Sequence, residues 1–280
     1  MLRNLLCCVD GSRHSESGLR HAVNLAARSA GRVELLHVVA DTATADDELL
    51  QMPSLLVAES PPDVPEELPP PGEGVNRPEQ MLGRMVEICR GAQVGWTISS
   101  LPGEPVDRIL QRGRVADIVV IGRQGADRAG REPRIGSVTR RVIARAEQPL
   151  LVATGTFTEP HTVLVPYART REAGRALRLA AEIVTHLDAS LVVMAATEDS
   201  VKAEQALGEA EEYLRAYRLE VSLIHRKDSV QQAAPVVCSE QECELIVMGA
   251  LGTGVFDRGL AGLPTSAVLR ATRCPVLLCP

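Results

Sequence analysis

The sequence predicts an α/β protein made of two tandem, doubly wound domains. Apolar runs of strand length alternate with stretches of helical periodicity along the whole chain. These apolar runs show little polar alternation, which is typical of parallel strands that are covered on both faces. A third observation is an internal repeat, and the length of 280 residues fits two domains of ordinary size.

The repeat divides the chain into two similar halves. Residues 115–125 return as residues 242–252, and after each copy a glycine-rich loop leads into a helix and a short apolar strand. The strand and helix that open the first half also return after residue 161. We therefore predict a first domain at residues 1–155 and a second at residues 160–280.

Each half is predicted to be Rossmann-like, with a five-stranded, mostly parallel sheet and four helices. The first helix, for example, places apolar residues at helical spacing, and Gly31 is predicted to end it. The predicted strands are residues 4–9, 33–39, 94–100, 117–121 and 149–153, then 162–166, 190–195, 219–225, 244–248 and 275–279. The predicted helices are residues 15–30, 79–90, 104–114 and 137–146, then 171–187, 200–217, 229–240 and 265–271.

Residues 42–78 have no counterpart in the second half. They hold eight of the 18 prolines, and residues 41–78 carry nine acidic residues against one arginine. Such a composition excludes regular sheet or a long helix, and it leaves an acidic lid, an arm or a disordered loop as alternatives. The net charge of −6 does not favour a nucleic-acid-binding protein.

Composition also bears on compartment and on cysteine chemistry. No apolar run reaches the roughly 20 residues of a membrane span, and the first strand meets Asp10 too early for a signal peptide. We therefore expect a cytoplasmic protein that has no membrane association. The seven cysteines include no Cys-x-x-Cys pair, so they are interpreted as small buried hydrophobic residues rather than as metal or redox groups.

Candidate binding residues follow the predicted strands at one edge of the first sheet. Asp10 follows strand one, Gly122 and Gly125 follow strand four, and Gly136 and Ser137 open the last helix. Glycines allow a phosphate to approach the backbone, and helix N-termini attract anions. Arg123, Arg128, Arg131 and Arg134 add positive charge around the loop. The alternatives are structural: Asp10 and Ser12 as helix caps, the glycines as turn residues, and the arginines as solvated charges.

The sequence does not support the other common nucleotide-binding motifs or a hydrolase site. The chain has no Gly-Lys-Ser/Thr sequence, and no Gly-x-Gly-x-x-Gly follows its first strand. His37 lies in a predicted buried strand and is interpreted as a hydrogen-bonded core histidine rather than as a general base. Since no nucleophile, histidine and carboxylate form a set, we expect no enzyme activity beyond slow, Mg²⁺-dependent ATP hydrolysis.

These motifs together resemble the universal stress protein family in its tandem two-domain form. The resemblance lies in residues 6–12, 35–39 and 102–105, and in the loop from Gly122 and Gly125 to Gly136 and Ser137. It covers nearly the whole chain except residues 42–78. One departure is a spacing of ten residues, rather than nine, between Gly125 and Gly136.

The resemblance implies ATP, with Mg²⁺ accompanying the phosphates, as the ligand of the first half. Asp10 and the Val38 backbone would hold adenine and ribose. The phosphates would contact the loop and the start of the last helix, at Gly122, Gly125, Gly136, Ser137 and Val138. The positive charge of Arg123 is expected to add to this site.

The second half departs from the family pattern at three positions of the site. Ala168 stands where the aspartate belongs, Leu263 replaces the serine, and Pro264 lacks an N–H group. Ala195 takes the place of Val38, a change that a backbone contact tolerates. We therefore expect one adenine-nucleotide site per chain, in the first half.

Two function classes remain from the sequence. One is an ATP-binding stress-response or regulatory protein, and the other is a nucleotide-free scaffold or interaction module whose glycine loops are remnants. The apolar strands that end the two halves are expected to pair within the chain and cover each other's edges. Association of two full chains into a homodimer is a further expectation.

Overall fold

The computed structural model describes residues 2–39, 78–126, 135–250 and 264–280. The acidic segment at 42–77 lies outside the described residues, so its role as a lid, an arm or a loop stays a prediction. The same holds for the arginines at 128, 131 and 134.

The two halves repeat one order of elements. The first contains β1 (Asn4–Cys8), α1 (Arg13–Ser29), β2 (Arg32–Val39), α2 (Pro78–Gly91), β3 (Gly95–Pro102), α3 (Pro105–Gly113), β4 (Ile118–Gly122), α4 (Ser137–Arg145) and β5 (Leu150–Ala153). The second contains β6 (Thr162–Pro166), α5 (Arg171–Leu187), β7 (Ser190–Ala196), α6 (Ser200–Leu214), β8 (Val221–Arg226), α7 (Val230–Glu240), β9 (Leu245–Gly249), α8 (Pro264–Ala271) and β10 (Val276–Cys279).

All ten of these strands form one continuous sheet in the order β3-β2-β1-β4-β5-β10-β9-β6-β7-β8. Within each half the strands pair in parallel. The order reverses direction between β1 and β4, and again between β6 and β9. Each reversal opens a crevice at the carboxyl ends of the strands, where open α/β sheets bind their ligands.

The two halves join where β5 and β10 pair in antiparallel fashion. Val276 lies opposite Val152, Leu277 opposite Leu151 and Leu278 opposite Leu150. This is the intrachain pairing expected from the sequence. It covers two apolar edge strands that would otherwise leave N–H and C=O groups unpaired.

Helices cover both faces of the sheet and form two separate core layers. One layer packs side chains of α1, α2, α5 and α6 against the sheet. The other packs α3, α4, α7 and α8 against the opposite face. Because both faces are buried, the strands carry apolar residues at nearly every position. Among the described helices, none combines the length and apolar character that a bilayer crossing requires.

Helix α1 ends one residue earlier than the sequence predicts. Ala30, and not Gly31, adopts the left-handed conformation at the C-cap, with φ of 50°. A Cβ atom on Gly31 would lie 2.7 Å from the Leu2 carbonyl oxygen. Gly31 is therefore needed because the chain passes close to the first strand, and not because it ends the helix.

The glycines that end β4 and β9 allow a helix to pack against the strand. A Cβ atom on Gly122 would lie 2.9 Å from the Cβ of His14 in α1. A Cβ atom on Gly249 would lie 2.7 Å from the backbone carbon of Glu172 in α5. The repeated glycine therefore has a packing role in both halves, including the second half, where Ala168 stands at the position of the aspartate.

We expect Gly249→Ala to destabilise the protein by about 1–3 kcal/mol, because strand and helix must separate to admit the methyl group. Gly208→Ala in α6 is the matched control, since a Cβ there meets nothing within 4 Å. That change should stabilise the protein by about 0.5–1 kcal/mol through helix propensity. Urea unfolding of both variants measures the difference, and equal stabilities would contradict the packing role.

Candidate functional site

A cavity of about 320 Å³ lies at the reversal of strand order between β1 and β4. Its apolar part is formed by side chains of β2, α3 and β4. Its polar part is formed by the turn after β1, the loop after β4 and the first turn of α4. The residues that line it are Cys8, Val9, Asp10, Ser15, Leu36, Val38, Pro105, Ile109, Ile121, Gly122, Gly125, Ala126, Gly136, Ser137, Val138 and Thr139.

Seven of the eight predicted site residues line this one cavity: Asp10, Val38, Gly122, Gly125, Gly136, Ser137 and Val138. The topology explains the convergence, because β1 and β4 are neighbours and end at the same edge of the sheet. Sequence reasoning missed Thr139, Pro105 and Ile109. Thr139 follows directly on the predicted loop residues. Pro105 and Ile109 lie in α3, far from the loop in sequence, and only the order of the strands in the folded sheet brings them to the cavity.

Asp10 joins the turn after β1 to the glycine loop. One of its carboxylate oxygens accepts a hydrogen bond from the Ser12 N–H at 2.9 Å, and the other accepts from the Ala126 N–H at 3.2 Å. Ser12 is the N-cap of α1, since its hydroxyl oxygen accepts from the Ser15 N–H at 3.1 Å. The capping alternative therefore applies to Ser12, while Asp10 holds the loop beside the cavity.

The first turn of α4 faces the cavity without a side-chain cap. The residue before the helix is Gly136, and no side chain caps its N-terminus among the described residues. The Gly136 N–H donates to the Arg123 carbonyl at 2.8 Å, and the Thr139 hydroxyl donates to the Gly122 carbonyl at 2.8 Å. These two bonds fix the helix start beside the glycine loop. The partial positive charge of a helix start favours an anion there.

Gly125 leaves space between the loop and Asp10. A Cβ atom at this position would lie 3.0 Å from a carboxylate oxygen of Asp10. A side chain would therefore press on Asp10 and fill the floor of the cavity. The requirement for glycine here comes from the cavity itself, in contrast to the helix packing that requires Gly122.

Arg123 is the predicted site residue that the structure does not bring to the cavity. Its guanidinium donates to the carbonyls of Leu269 and Thr272, both at 3.0 Å. Burial of the guanidinium lowers the pKa of Arg123. Both carbonyl groups that accept its hydrogen bonds belong to the second half. The side chain thus links the glycine loop to the end of α8, and its contribution to phosphate binding is not supported by this geometry.

The two histidines near the cavity are held by backbone groups. His37 Nδ1 lies 3.1 Å from the Val9 carbonyl, as expected for a hydrogen-bonded core histidine. His14 Nδ1 lies 3.4 Å from the Ala153 carbonyl, and burial lowers the pKa of His14. Burial also raises the pKa of the Cys8 thiol, which stays neutral in the cavity wall. Both histidine rings are thus held beside the cavity by main-chain carbonyl groups.

The corresponding position of the second half is built differently. Thr170 caps α5, accepting from the Ala173 N–H at 3.1 Å, and Ala168 before it offers no carboxylate. Arg169 donates to Glu209 of α6 at 2.8 Å. Leu263 lies outside the described residues, and α8 begins at Pro264. The polar contacts that Asp10 makes in the first half are therefore absent from Ala168.

Both halves of the chain match known proteins. The model of the universal stress protein family matches residues 1–154 and again residues 160–280. A universal stress protein from Synechocystis is 23% identical, over 99% of this chain and 99% of that protein. The match spans both halves, as the tandem form requires.

Solved structures share the fold at low sequence identity. A universal stress protein from Archaeoglobus fulgidus covers 100% of this chain and 96% of its own, with a TM-score of 0.75 and 19% identity. A universal stress protein structure from Pseudomonas aeruginosa covers 99% of this chain and 93% of its own, with a TM-score of 0.66 and 14% identity. At such identities the likeness concerns the arrangement of two halves, and not the ligand.

Proposed function

This chain belongs to the universal stress protein family, and on that premise we propose that it is a stress-response or regulatory protein that binds one adenine nucleotide. The observation that carries the proposal is the cavity between β1 and β4, where seven residues expected from the sequence and from the family resemblance converge. ATP is the proposed ligand. Binding of ATP would be the signal that the protein transmits.

The cavity has two chemically different ends that suit such a ligand. Leu36, Ile109 and Ile121 give one end an apolar lining that fits a purine ring. The other end has the uncapped start of α4 and the close backbone of Gly125 and Gly136, which suit phosphate oxygens. A volume of about 320 Å³ falls within the range of small-molecule sites.

Mg²⁺ would enter this site with the phosphates. No group of three histidine, cysteine, aspartate or glutamate residues in the described part of the chain could hold a metal ion. Ser137 and Thr139 supply hydroxyl groups near the helix start, which fit a supporting role. We propose a binding function rather than catalysis, because the histidines that flank the cavity are tied to carbonyl groups.

The second half is proposed to be structural. It lacks the aspartate, and its α8 begins with a proline that cannot donate an N–H to a phosphate. It also supplies β10, which covers the edge of β5. This contribution explains why a half without a nucleotide site would be retained.

A nucleotide-free scaffold is the second candidate. Two observations favour it. Gly122 has a packing role, and both carboxylate oxygens of Asp10 already accept hydrogen bonds, one from the Ser12 N–H and the other from the Ala126 N–H of the glycine loop. Heat denaturation of the purified protein distinguishes the candidates. Release of ATP or AMP in a stoichiometric amount supports the nucleotide-binding function, and release of none supports the scaffold.

Calorimetric titration with ATP and Mg²⁺ is expected to give one site per chain. The reason is the loss of the aspartate and of the backbone donor at the second crevice. Asp10→Ala should reduce the affinity about 10- to 100-fold by removing a charged hydrogen-bonding group. Gly125→Val should reduce it at least as much, since the branched side chain would meet Asp10.

Two controls accompany these variants. Glu87→Ala removes an exposed carboxylate of α2, and Gly83→Val adds a side chain where a Cβ meets nothing within 4 Å. Both should bind ATP like the unchanged chain. Two equivalent ATP sites, or full affinity in folded Asp10→Ala and Gly125→Val proteins, would contradict the proposal.

A further inference from the structure

A second cavity, of about 610 Å³, lies beside the segment between α8 and β10. It is bounded by the linker between the halves, by α7 and by the turn that precedes β9. Three cysteines line it: Cys238, Cys243 and Cys274. Sequence spacing did not indicate this cluster, because Cys238 and Cys274 are 36 positions apart.

The sulfur atoms of Cys238 and Cys274 are in direct contact. Their Sγ atoms lie 3.1 Å apart, although the residues come from α7 and from the segment before β10. The Cys238 thiol is also 3.2 Å from the Cys243 carbonyl oxygen. A disulfide bond is about 2.05 Å long, so closing this pair requires a movement of about 1 Å.

The contacts within this cluster make Cys238 more acidic than Cys274. The neighbouring thiols of Cys243 and Cys274 lower the pKa of Cys238, while the contact with Cys238 raises the pKa of Cys274. The Arg123 guanidinium, bound to the Thr272 carbonyl, lies close enough to Cys274 to interact with it electrostatically. A nearby cation is one of the features that activate cysteines, and here it lies beside Cys274.

The remaining four cysteines have a different environment. Burial raises the pKa of Cys7, Cys8, Cys89 and Cys279, so these thiols stay protonated and weakly reactive. Reactivity is therefore expected at one place in the chain. That place opens onto a cavity large enough to admit a small oxidant.

We propose that Cys238 and Cys274 form a peroxide-reactive dithiol site that closes to a reversible disulfide. The oxidant is a hydroperoxide, either hydrogen peroxide or a small organic one. No described residue lines both this cavity and the cavity between β1 and β4.

The reaction balances in two steps. The Cys238 thiolate attacks the terminal oxygen of the hydroperoxide, the O–O bond breaks, and the alkoxide takes a proton to leave as an alcohol, or as water from hydrogen peroxide. Cys238 is then a sulfenic acid. The Cys274 thiol attacks the Cys238 sulfur as its proton passes to the departing hydroxide, so that the S–S bond forms, the S–O bond breaks and water leaves. Two thiols thus lose two electrons and two protons, and the peroxide is reduced.

The test treats the reduced full-length protein with hydrogen peroxide and maps its peptides without reduction. We expect free thiols to fall from seven to five and the mass to fall by about 2 Da. The linked peptides should contain Cys238 and Cys274, and a dithiol reductant should restore both thiols. A link between other residues, or seven free thiols after treatment, would overturn the proposal.

Variants separate the two roles. Cys274→Ser should block the disulfide and leave a sulfenic acid on Cys238 that a 1,3-dione reagent traps. Cys279→Ala is the matched control, because Cys279 is buried in β10 and should leave the reaction unchanged. Disulfide formation within the chain of Cys274→Ser, or its loss in a folded Cys279→Ala protein, would contradict the assignment.

Discussion

A fragment that ends at Thr156 is expected to dimerise or aggregate rather than remain a monomer. In the full chain β10 covers β5 through an antiparallel ladder of three residue pairs. Leu150, Leu151 and Val152 are each only 1% exposed. Removing the second half exposes this apolar strand together with its unpaired N–H and C=O groups, and such an edge pairs with another chain.

Sedimentation of the fragment at several micromolar concentrations measures the effect, with the full chain at the same concentrations as the control. Hydrogen exchange adds a local readout. Amides of β5 should be protected in the full chain at every concentration, and in the fragment only as it associates. A folded fragment that stays monomeric, with β5 unprotected, would contradict a role for the second half in covering this edge.

The fold could be predicted from the sequence because the strand pattern and the division into two halves can both be read from it. Apolar strands without alternation indicated a sheet covered on both faces, and the repeat indicated two copies. The observed bounds differ from the predicted ones by only a few residues, as where α6 ends at Leu214 instead of residue 217. The pairing of β5 with β10 was also expected, since both are short, apolar and placed at the end of a half.

The site could be predicted where its residues follow directly on strands. Asp10 and Gly125 do so, and neighbouring parallel strands bring them to the same edge. Arg123 shows the limit of this reasoning. Its position in the loop suggested a phosphate ligand, yet its side chain binds Leu269, 146 positions away. Such a contact depends on how the halves join, for which the loop sequence carries no signal.

The cysteines show a second limit. Cys274 and Cys279 are only five positions apart in the sequence, but they lie on opposite sides of the sheet. Cys279 packs with the layer of α1 and α5, while Cys274 packs with the layer of α7 and α8. The contact between Cys274 and Cys238 arises because α7 covers the segment before β10. Only the tertiary structure brings these sulfurs together.

Acidification from pH 7.5 to pH 5 is expected to destabilise the protein by about 2 kcal/mol through His21 alone. His21 is 3% exposed, and burial lowers its pKa from 6.5 to about 4. Its ring packs edge-on against Phe157 of the linker between the halves, with centroids 4.7 Å apart. No hydrogen-bond partner for its Nε2 atom is found among the described residues.

The direction follows from where the proton binds. Below pH 6.5 the unfolded chain protonates His21, whereas the folded chain does so only near pH 4. The unfolded state therefore takes up more protons across this window, and the free energy of unfolding decreases as the pH falls. Below the folded pKa the loss is complete, at about 3 kcal/mol.

His21→Phe should remove this part of the pH dependence while keeping an aromatic contact with Phe157. Urea unfolding at pH 7.5 and pH 5 measures the free energy of unfolding of each protein. Because the carboxylates are the same in both proteins, the difference in their pH dependence gives the contribution of His21. The exposed His161 provides the control as His161→Phe, which should keep the full pH dependence. If His21→Phe loses as much stability on acidification as the unchanged chain, the buried neutral histidine is not the group that responds.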